Sequence, residues 1–321
     1  MYDKSKRNRR IGYILIAIML LSTTVAILLI TTDMVDMRVG DYIITREAVA
    51  VIHVQGPIIS GSIPGGFGFA SAEDVINSIR DSERDPSIRA IVLRLNSPGG
   101  TPAAAQEIAI EIERTEIPIV ISMGDIATSG AYWISAPADY IMASPDTMTG
   151  SIAVIWVIEN RMAYFEEEGI RYEVFKSGEK KDMGAPWRNI TDEEREFINE
   201  TLAAVHNRFV KTVAEGREIP INEVKELADG RIFLGAVAKE HGLVDSFGNL
   251  HDAIDRAAYL GEIEMEPRVI HKNRPTLMRL LFGGGGEILI NNDIDPAKFY
   301  LRYLDESLHG NIMAISNFYS F

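Results

Sequence analysis

The sequence predicts an α/β fold made of repeated strand-strand-helix units. Short apolar runs recur along the chain, and segments with helical periodicity lie between them. The runs are almost continuously apolar, which is typical of strands in a sheet that is covered on both faces. The strands are predicted at residues 48–54, 88–95, 117–123, 140–142 and 151–155.

The predicted helices alternate with these strands and carry start signals. Ser71 and Asp74 lie near the start of a helix over 71–81, and a second helix over 101–115 follows a Gly-Gly pair directly. A short helix begins at or just after Ser129, and a capping box at Thr191 and Glu194 begins a long one. The polar segment 176–189 is predicted to be a loop, and shorter helices are predicted at 224–227, 235–241 and 250–260.

The N-terminus has the pattern of an uncleaved membrane anchor. Residues 1–10 carry five basic side chains and one acidic one, and residues 11–32 carry no charge. About 20 apolar residues are enough to cross a bilayer, whereas a cleaved signal has an apolar region of about 7 to 15. The positive-inside rule then predicts a cytoplasmic tail at 1–10, a transmembrane helix at 11–32 and everything after the linker 33–47 outside the cell.

Charge and composition exclude several classes of function. The net charge is −14, and because the basic tail contributes +4, the remainder carries about −18, which is a poor match for nucleic acid. The chain has no cysteine and no His-Glu-x-x-His pattern, so we expect no disulfide, thiolate chemistry, metal or cofactor. The segment 262–321 contains four consecutive glycines and apolar clusters, and its role stays open.

Two motifs indicate acyl-transfer chemistry. Gly99 and Gly100 follow the second strand, and glycines at a strand end can turn bare backbone N–H groups towards a ligand, as an oxyanion hole requires. Ser129 follows the third strand in a small-residue setting and could supply the nucleophile. The sequence leaves open which glycine of the pair would donate.

The base that would activate Ser129 is less obvious. None of the six histidines lies in a small, glycine-flanked setting near these motifs, so an ordinary Ser-His-Asp triad is not expected. A neutral lysine can also accept the hydroxyl proton. Lys176, Lys180 and Lys181 are candidates in one loop, although such lysines are usually just solvated charge.

The order of motifs resembles the signal peptide peptidase A family, membrane-bound serine proteases with a Ser-Lys dyad and the fold of Clp protease subunits and crotonases. The likeness rests on residues 95–100, 124–132, 138–152, 176–182, 228–235 and 242–245. It implies that Ser129 is the nucleophile, that Lys181 is the general base with Lys180 as its rival, and that Ser151 holds the lysine amine. In the same family pattern, the N–H of Gly130 would complete the oxyanion hole with Gly99 or Gly100. It also implies a protease domain over 48–261 and homo-oligomeric rings, often octamers in the short form of the family.

The resemblance also implies a substrate, although other readings stay open. The expected substrates are released signal peptides or unfolded polypeptides, cleaved at the outer face of the cell membrane. The alternatives are a Ser-Lys protease of a membrane partner, of the type encoded beside stomatin-like proteins, a crotonase-like thioester enzyme, and a non-catalytic scaffold.

Overall fold

A mostly parallel β-sheet organises the part of the chain that the structure describes, residues 46–61 and 68–273 of a computed structural model. The strands are β1 (Ala48–Gln55), β2 (Ile58–Ile59), β3 (Ala70–Ser71), β4 (Ile88–Ser97), β5 (Ile119–Thr128), β6 (Tyr140–Ala143), β7 (Met148–Gly150), β8 (Ile232–Leu234), β9 (Ser246–Phe247) and β10 (Arg268–Lys272). The main path of the sheet runs β10-β1-β4-β5-β6-β9, and β7 extends it from β5 and pairs antiparallel with β8. Strands β2 and β3 form a separate two-stranded sheet.

Helices connect most of these strands, and the predicted α/β alternation is confirmed. Thr191 and Glu194 form the predicted capping box, in which each side chain accepts a hydrogen bond from the other residue's backbone N–H. The helices are α1 (Ala72–Glu83), α2 (Pro102–Arg114), α3 (Gly130–Ser135), α4 (Met162–Glu167), α5 (Asp192–Gly216), α6 (Ile221–Leu227), α7 (Gly235–Glu240) and α8 (Leu250–Leu260), with a 3₁₀ turn at Glu179–Asp182.

Both faces of the sheet are buried, which explains the continuous apolar runs. Ala50 and Ile52 of β1 belong to a large core that α1, α2 and α5 cover. The alternate residues Val49 and Val51 belong to a smaller core, which α8 covers with Ala253, Ile254, Ala257 and Ala258. The centre of the sheet is therefore rigid enough to fix the ends of its strands.

One predicted strand is wrong. Residues 151–155 have no regular structure, and the strand lies earlier, at Met148–Gly150, where it pairs with both β5 and β8. Ile155, Trp156 and Val157 are between 42% and 50% exposed, so this apolar run is not a buried strand of the described chain.

The anchor, the linker up to residue 45 and the extension beyond residue 273 lie outside the described residues. Among the residues that are described, no helix has both the length and the apolar character needed to cross a bilayer. The predicted domain boundaries stay predictions.

The junction between β4 and β5 prepares a site at the carboxyl ends of these strands. Leu95 pairs with Met123, and the next pair is Ser97 with Ala127, so β5 advances four residues while β4 advances two. The side chain of Asn96 accepts a hydrogen bond from the backbone N–H of Ile126, at 3.2 Å, inside this irregularity. Such bulges bend a strand and re-aim the residues after them, and here the residue in that position is Ser129.

Candidate active site

Ser129 lies in a strained turn between β5 and α3. Its φ is 52° and its ψ is −123°, a conformation that a residue with a side chain rarely adopts. Its N–H donates to the carbonyl of Gly150 at 2.8 Å, and its carbonyl accepts from the N–H of Trp133 at 2.9 Å. A serine held on a sharp strand-to-helix turn is the geometry of a nucleophile elbow, which exposes the hydroxyl at the top of a sheet.

The Gly-Gly turn packs closely against the turn of Ser129 on one side and against Ile58 of β2 on the other. Gly99 has a φ of +103°, and a Cβ added to it would lie 2.6 Å from the nitrogen of Gly130 and 2.9 Å from the Cβ of Ser129. A Cβ added to Gly100 would lie 1.9 Å from the carbonyl oxygen of Ile58. Both positions therefore require glycine, because a side chain at Gly99 would collide with the turn that carries Ser129, and one at Gly100 would collide with the backbone of Ile58 in β2.

Hydrogen bonding distinguishes the two glycines. The N–H of Gly99 donates to the hydroxyl of Ser97 at 3.1 Å, so it is already engaged. Neither the N–H of Gly100 nor that of Gly130 has an acceptor among the described residues. A Cβ added to Gly130 would lie 3.1 Å from the nitrogen of Gly100, so the two free donors are close together. Gly100 and Gly130 are thus the pair available to a developing oxyanion.

Sequence reasoning missed Ser97, although a signal was present. A serine two residues before a glycine can accept a hydrogen bond from that glycine's N–H, which is a recognised turn motif. Ser97 is fully buried at the end of β4. Its hydroxyl occupies one glycine donor and leaves the next one free.

Ser151 is connected to Ser129 through a backbone hydrogen bond of its neighbour Gly150. It directly follows Gly150, whose carbonyl accepts from Ser129. Ser151 is 6% exposed, has a φ of 52° and donates its N–H to the carbonyl of Arg231 at 2.9 Å. We call residues 96–100, 124–131 and 149–151 the nucleophile corner.

The candidate lysines lie elsewhere, in a segment of different character. We call residues 153–190 the lysine segment, whose regular structure is limited to α4 and the 3₁₀ turn. Lys181 lies exposed in that turn. Within the described residues, no hydrogen bond or ion pair engages its ammonium group, and none joins it to Ser129 or Ser151.

The other two lysines of the segment are engaged. Lys176 pairs with Asp182 at 2.7 Å. Lys180 pairs with Glu193 at 2.7 Å, and this hydrogen bond raises the pKa of the Lys180 ammonium, which disfavours the neutral form that a base needs. Of the three candidates, Lys181 is the one whose amine is available.

An ionic cluster fixes the lysine segment to the start of α5. Arg188 donates to Asp182 at 2.8 Å and to both carboxylate oxygens of Glu194, at 2.6 and 2.9 Å. The hydrogen bonds from Arg188 lower the pKa of Asp182 and lower that of Glu194 to about 2. Both carboxylates are therefore ionised at neutral pH, and through Arg188 they connect the turn that carries Lys181 to the start of α5.

The lysine segment also exposes much apolar surface. Phe175 is 92% exposed and directly precedes Lys176. A contiguous exposed apolar surface on a folded protein usually marks an interaction site. The exposed large hydrophobic residues of the segment are Ile155, Trp156, Val157, Tyr164, Ile170, Tyr172, Val174 and Phe175.

Three of the described histidines have hydrogen-bond partners away from Ser129. His206 bonds to the carbonyl of Ala228 at 2.9 Å, and His53 and His271 contact each other at 3.2 Å. His309 lies outside the described residues. No group of three or more side chains with metal-binding potential occurs in the described part of the chain.

Comparison with known proteins gives this geometry a context. The sequence model of peptidase family S49 matches residues 111–264, a range that includes Ser129, Ser151 and Lys181. A Synechocystis protein, provisionally named as a protease, is 35% identical over 249 residues, which cover 76% of this chain and 86% of the relative.

Two further relatives are longer than the region they share with this chain. Protease 4 of Salmonella typhi is 33% identical over 241 residues, 74% of this chain and 38% of the relative. An Enterococcus faecium protein, provisionally named signal peptide peptidase SppA, is 40% identical over 186 residues, 57% of this chain and 54% of the relative. The chain thus spans roughly two fifths to just over half of the length of these two relatives.

Proposed function

The chain belongs to peptidase family S49, and we propose that it is a serine endopeptidase with Ser129 as nucleophile and Lys181 as general base. The observation that carries the proposal is the turn at Ser129, whose φ of 52° is maintained beside two free backbone donors, Gly100 and Gly130. Strained backbone persists only where the surrounding structure enforces it, and it concentrates at functional sites.

The availability of its amine supports Lys181 as the base. A lysine accepts a proton only when it is uncharged, and burial favours that state. An exposed lysine meets this condition when another protein surface covers it. The exposed apolar residues that precede Lys181 in the lysine segment, such as Phe175, are the kind of surface that a neighbouring subunit buries.

We therefore propose that a second copy of the chain completes the site. The lysine segment of one subunit would dock against the nucleophile corner of the next and bring Lys181 towards Ser129. The Ser151 hydroxyl would then accept a hydrogen bond from the lysine amine and orient it. A head-to-tail contact of this kind closes into a ring, and an octamer is the size that the family resemblance suggests.

The reaction would proceed through an acyl-enzyme. A peptide pairs with the strand edges beside Gly99 and Gly100, which places its scissile carbonyl against the N–H groups of Gly100 and Gly130. The Ser129 hydroxyl attacks as Lys181 takes its proton, and the lysine ammonium then protonates the leaving amine. Water activated by the same lysine releases the acyl group and regenerates Ser129.

The proposed substrates are released signal peptides or unfolded polypeptides. This assignment is supported by the name of the Enterococcus faecium relative, and by the apolar, charge-free stretch at 11–32, which would anchor the enzyme in the membrane with its active site outside the cell. The repeated strand-helix order and the parallel sheet agree with a Clp/crotonase-like fold, and a protease domain over 48–261 is part of the same proposal.

Replacing the nucleophile is the direct test. Ser129→Ala should lower the cleavage of casein and of a synthetic signal peptide by more than about 10³-fold and abolish covalent labelling by a fluorophosphonate. Ser135→Ala is the matched control, because Ser135 lies on the short helix α3 that follows Ser129 and its hydroxyl donates only to the carbonyl of Ala131. Full activity in Ser129→Ala would overturn the proposal.

Mixing two inactive variants tests whether the lysine acts across subunits. Ser129→Ala and Lys181→Ala subunits, unfolded together and reassembled at equal amounts, should recover activity at about a quarter of the sites, since each site needs one intact residue from each of two neighbours. A lysine that acts within its own subunit would give no recovery at any mixing ratio.

A further inference from the structure

Thr128 occupies a particular place next to the nucleophile. It is the last residue of β5, it directly precedes Ser129, and it is 4% exposed. Its hydroxyl donates to the carbonyl oxygen of Pro98 at 3.1 Å. Pro98 directly precedes the two glycines, so this bond connects the nucleophile turn to the oxyanion turn.

No other hydrogen bond of the described chain makes this connection beyond the end of the strands. The last β4–β5 pair is Ser97 with Ala127. Among the described residues, the Thr128 hydroxyl provides the single hydrogen bond between residues 98–100 and residues 128–130. The Gly-Gly turn is held from its other side by β2, where Ile58 donates to Gly99 and accepts from Thr101.

The two turns that this hydrogen bond connects are in close contact. Gly99 approaches the Ser129 side chain so closely that a Cβ added to Gly99 would lie 2.9 Å from the serine Cβ. The proposed oxyanion donor Gly100 and the proposed nucleophile Ser129 lie in turns that follow different strands, β4 and β5, so their separation depends on the contacts that hold the two turns together. Small displacements matter at such a site, because an error of about 1 Å can cost about 10²-fold in rate.

We propose that Thr128 is a positioning residue, whose hydroxyl sets the distance between the Ser129 hydroxyl and the Gly100 N–H. The inference rests on the proposed function of these two groups. Thr128 does not touch the substrate. It acts through Pro98, by keeping the peptide that precedes the glycines at a constant distance from the nucleophile turn.

Three variants test the proposal. Thr128→Val keeps the branched shape and the strand preference but removes the hydroxyl, and Thr128→Ser keeps the hydroxyl. Thr147→Val is the matched control, because the Thr147 hydroxyl is also buried and also donates to a backbone carbonyl, that of Gly124 on β5 at 2.7 Å, away from the glycine turn.

The expected result is a loss in kcat. Thr128→Val should lower kcat by about 10- to 100-fold, less than the 10²- to 10³-fold typical for the loss of a whole oxyanion donor, while KM stays within about twofold. Thr128→Ser should return kcat to within about threefold of the wild type. Thr147→Val should keep the wild-type kcat, even where it lowers the melting temperature. All assays run well below the melting temperature of the least stable variant.

Several results would overturn the inference. An unchanged kcat in Thr128→Val would do so, as would an equal loss in Thr147→Val, or a change confined to KM. If Thr128→Val does not fold, Thr128→Ala takes its place under the same criteria, since it only removes atoms.

Amide hydrogen exchange separates a failure of this inference from a failure of the proposed function. If wild-type protein neither cleaves peptides nor is labelled at Ser129, the proposed function is wrong. Amide exchange in a peptide that covers residues 96–101 then tests independently whether the Thr128 hydroxyl holds the glycine turn. Exchange at least about tenfold faster in Thr128→Val than in the wild type and in Thr147→Val supports the connection. Unchanged exchange overturns it.

Discussion

The nucleophile corner and the lysine segment differ in how they are held. The corner consists of buried and half-buried residues at strand ends, and rare backbone conformations at Ser129 and Ser151 are held by hydrogen bonds that these residues donate to the carbonyls of Gly150 and Arg231. The lysine segment has almost no regular structure, exposes large apolar side chains and is fixed by the ion pairs of Arg188. One half of the proposed site is thus preorganised inside the chain, whereas the other half presents a free amine on an uncovered surface.

The difference indicates that the two halves of the proposed site obtain their catalytic properties in different ways. Oxyanion donors must be rigid, because their value comes from needing no rearrangement during the reaction. A lysine that acts as a base must be uncharged, and the proposed contact between subunits would favour that state by removing water from it. Five predictions test this contrast, in order of decreasing effect.

The two adjacent lysines test the segment most severely. Lys181→Ala should lower kcat by more than about 10⁴-fold, in the range seen when a catalytic base is removed, whereas Lys180→Ala should lower it by less than about threefold. The reason is that the Lys180 ammonium is held by Glu193. The measurement is kcat against pH for both variants. Loss of activity in Lys180→Ala alone would transfer the role of base to Lys180.

Matched glycine substitutions compare the two regions directly. Gly99→Ala should lower kcat/KM by about 10³-fold and destabilise the fold by about 3 kcal/mol, because its φ is +103° and the added Cβ meets three atoms at less than 3 Å. Gly178→Ala should change activity by less than about twofold, since no atom lies within 4 Å of the added Cβ. Urea unfolding and peptide cleavage measure both effects. Equal effects would remove the distinction between the regions.

The ionic cluster of Asp182, Arg188 and Glu194 gives the third prediction. Arg188→Gln should lower kcat by about tenfold, because it leaves Asp182 and Glu194 without their shared partner and loosens the turn that carries the lysine. Affinity for a peptide aldehyde, which relies on Ser129 and the oxyanion donors, should stay within about threefold of the wild type. Peptide cleavage and inhibition by the aldehyde measure the two effects. An Arg188→Gln enzyme with full activity would show that the cluster does not position the lysine.

The same cluster predicts a dependence on acid pH. Glu194 has a pKa lowered to about 2 by Arg188, so its stabilising contribution is present above the ordinary pKa of about 4.3 and is lost as the pH falls towards 2. Pepsin should therefore begin to cleave within residues 176–190 as the pH drops from about 4 to about 2. In Arg188→Gln this cleavage should already occur at about pH 4. Cleavage that begins first in the nucleophile corner would contradict the view that the lysine segment, and not the corner, depends on these ion pairs.

The smallest effect is expected at Ser97. Ser97→Ala should lower kcat by about fivefold and the free energy of unfolding by about 1 kcal/mol, because the Gly99 N–H loses its acceptor and the glycine turn gains freedom. Ser82→Ala is the control: Ser82 is equally buried and donates to the carbonyl of Ser78, on a helix away from the site. It should lose similar stability and keep its kcat. A similar kcat in both variants would show that Ser97 does not act on the turn.

Much of the fold was predictable, and the exceptions have a common cause. Strands β1 and β4 and the helix that begins at Thr191 lie where their apolar runs and capping box place them. The strand predicted at 151–155 was wrong, and β7 at Met148–Gly150 was missed. The short β7 exists because it pairs with β5 on one side and β8 on the other. Those partners are distant in sequence, so no local pattern reveals them.

The candidate site shows the same division. The Gly-Gly pair and Ser129 were recognisable from the sequence because their chemistry depends on residue type, and their catalytic roles stay predictions. The choice of Gly100 over Gly99 as a free donor depends on the Ser97 hydroxyl, and the connection through Thr128 depends on where Pro98 lies.

The amino-acid sequence is sufficient to identify the residue types that the chemistry needs, the alternation of strands and helices, and membership of a peptidase family. Only the folded chain shows which N–H groups stay free, which lysine keeps an unpaired amine, and how closely Gly99 approaches Ser129. The physical reason is that propensity and burial pattern act over a few neighbouring residues, whereas these three features arise where strands and loops far apart in the chain meet at one edge of the sheet.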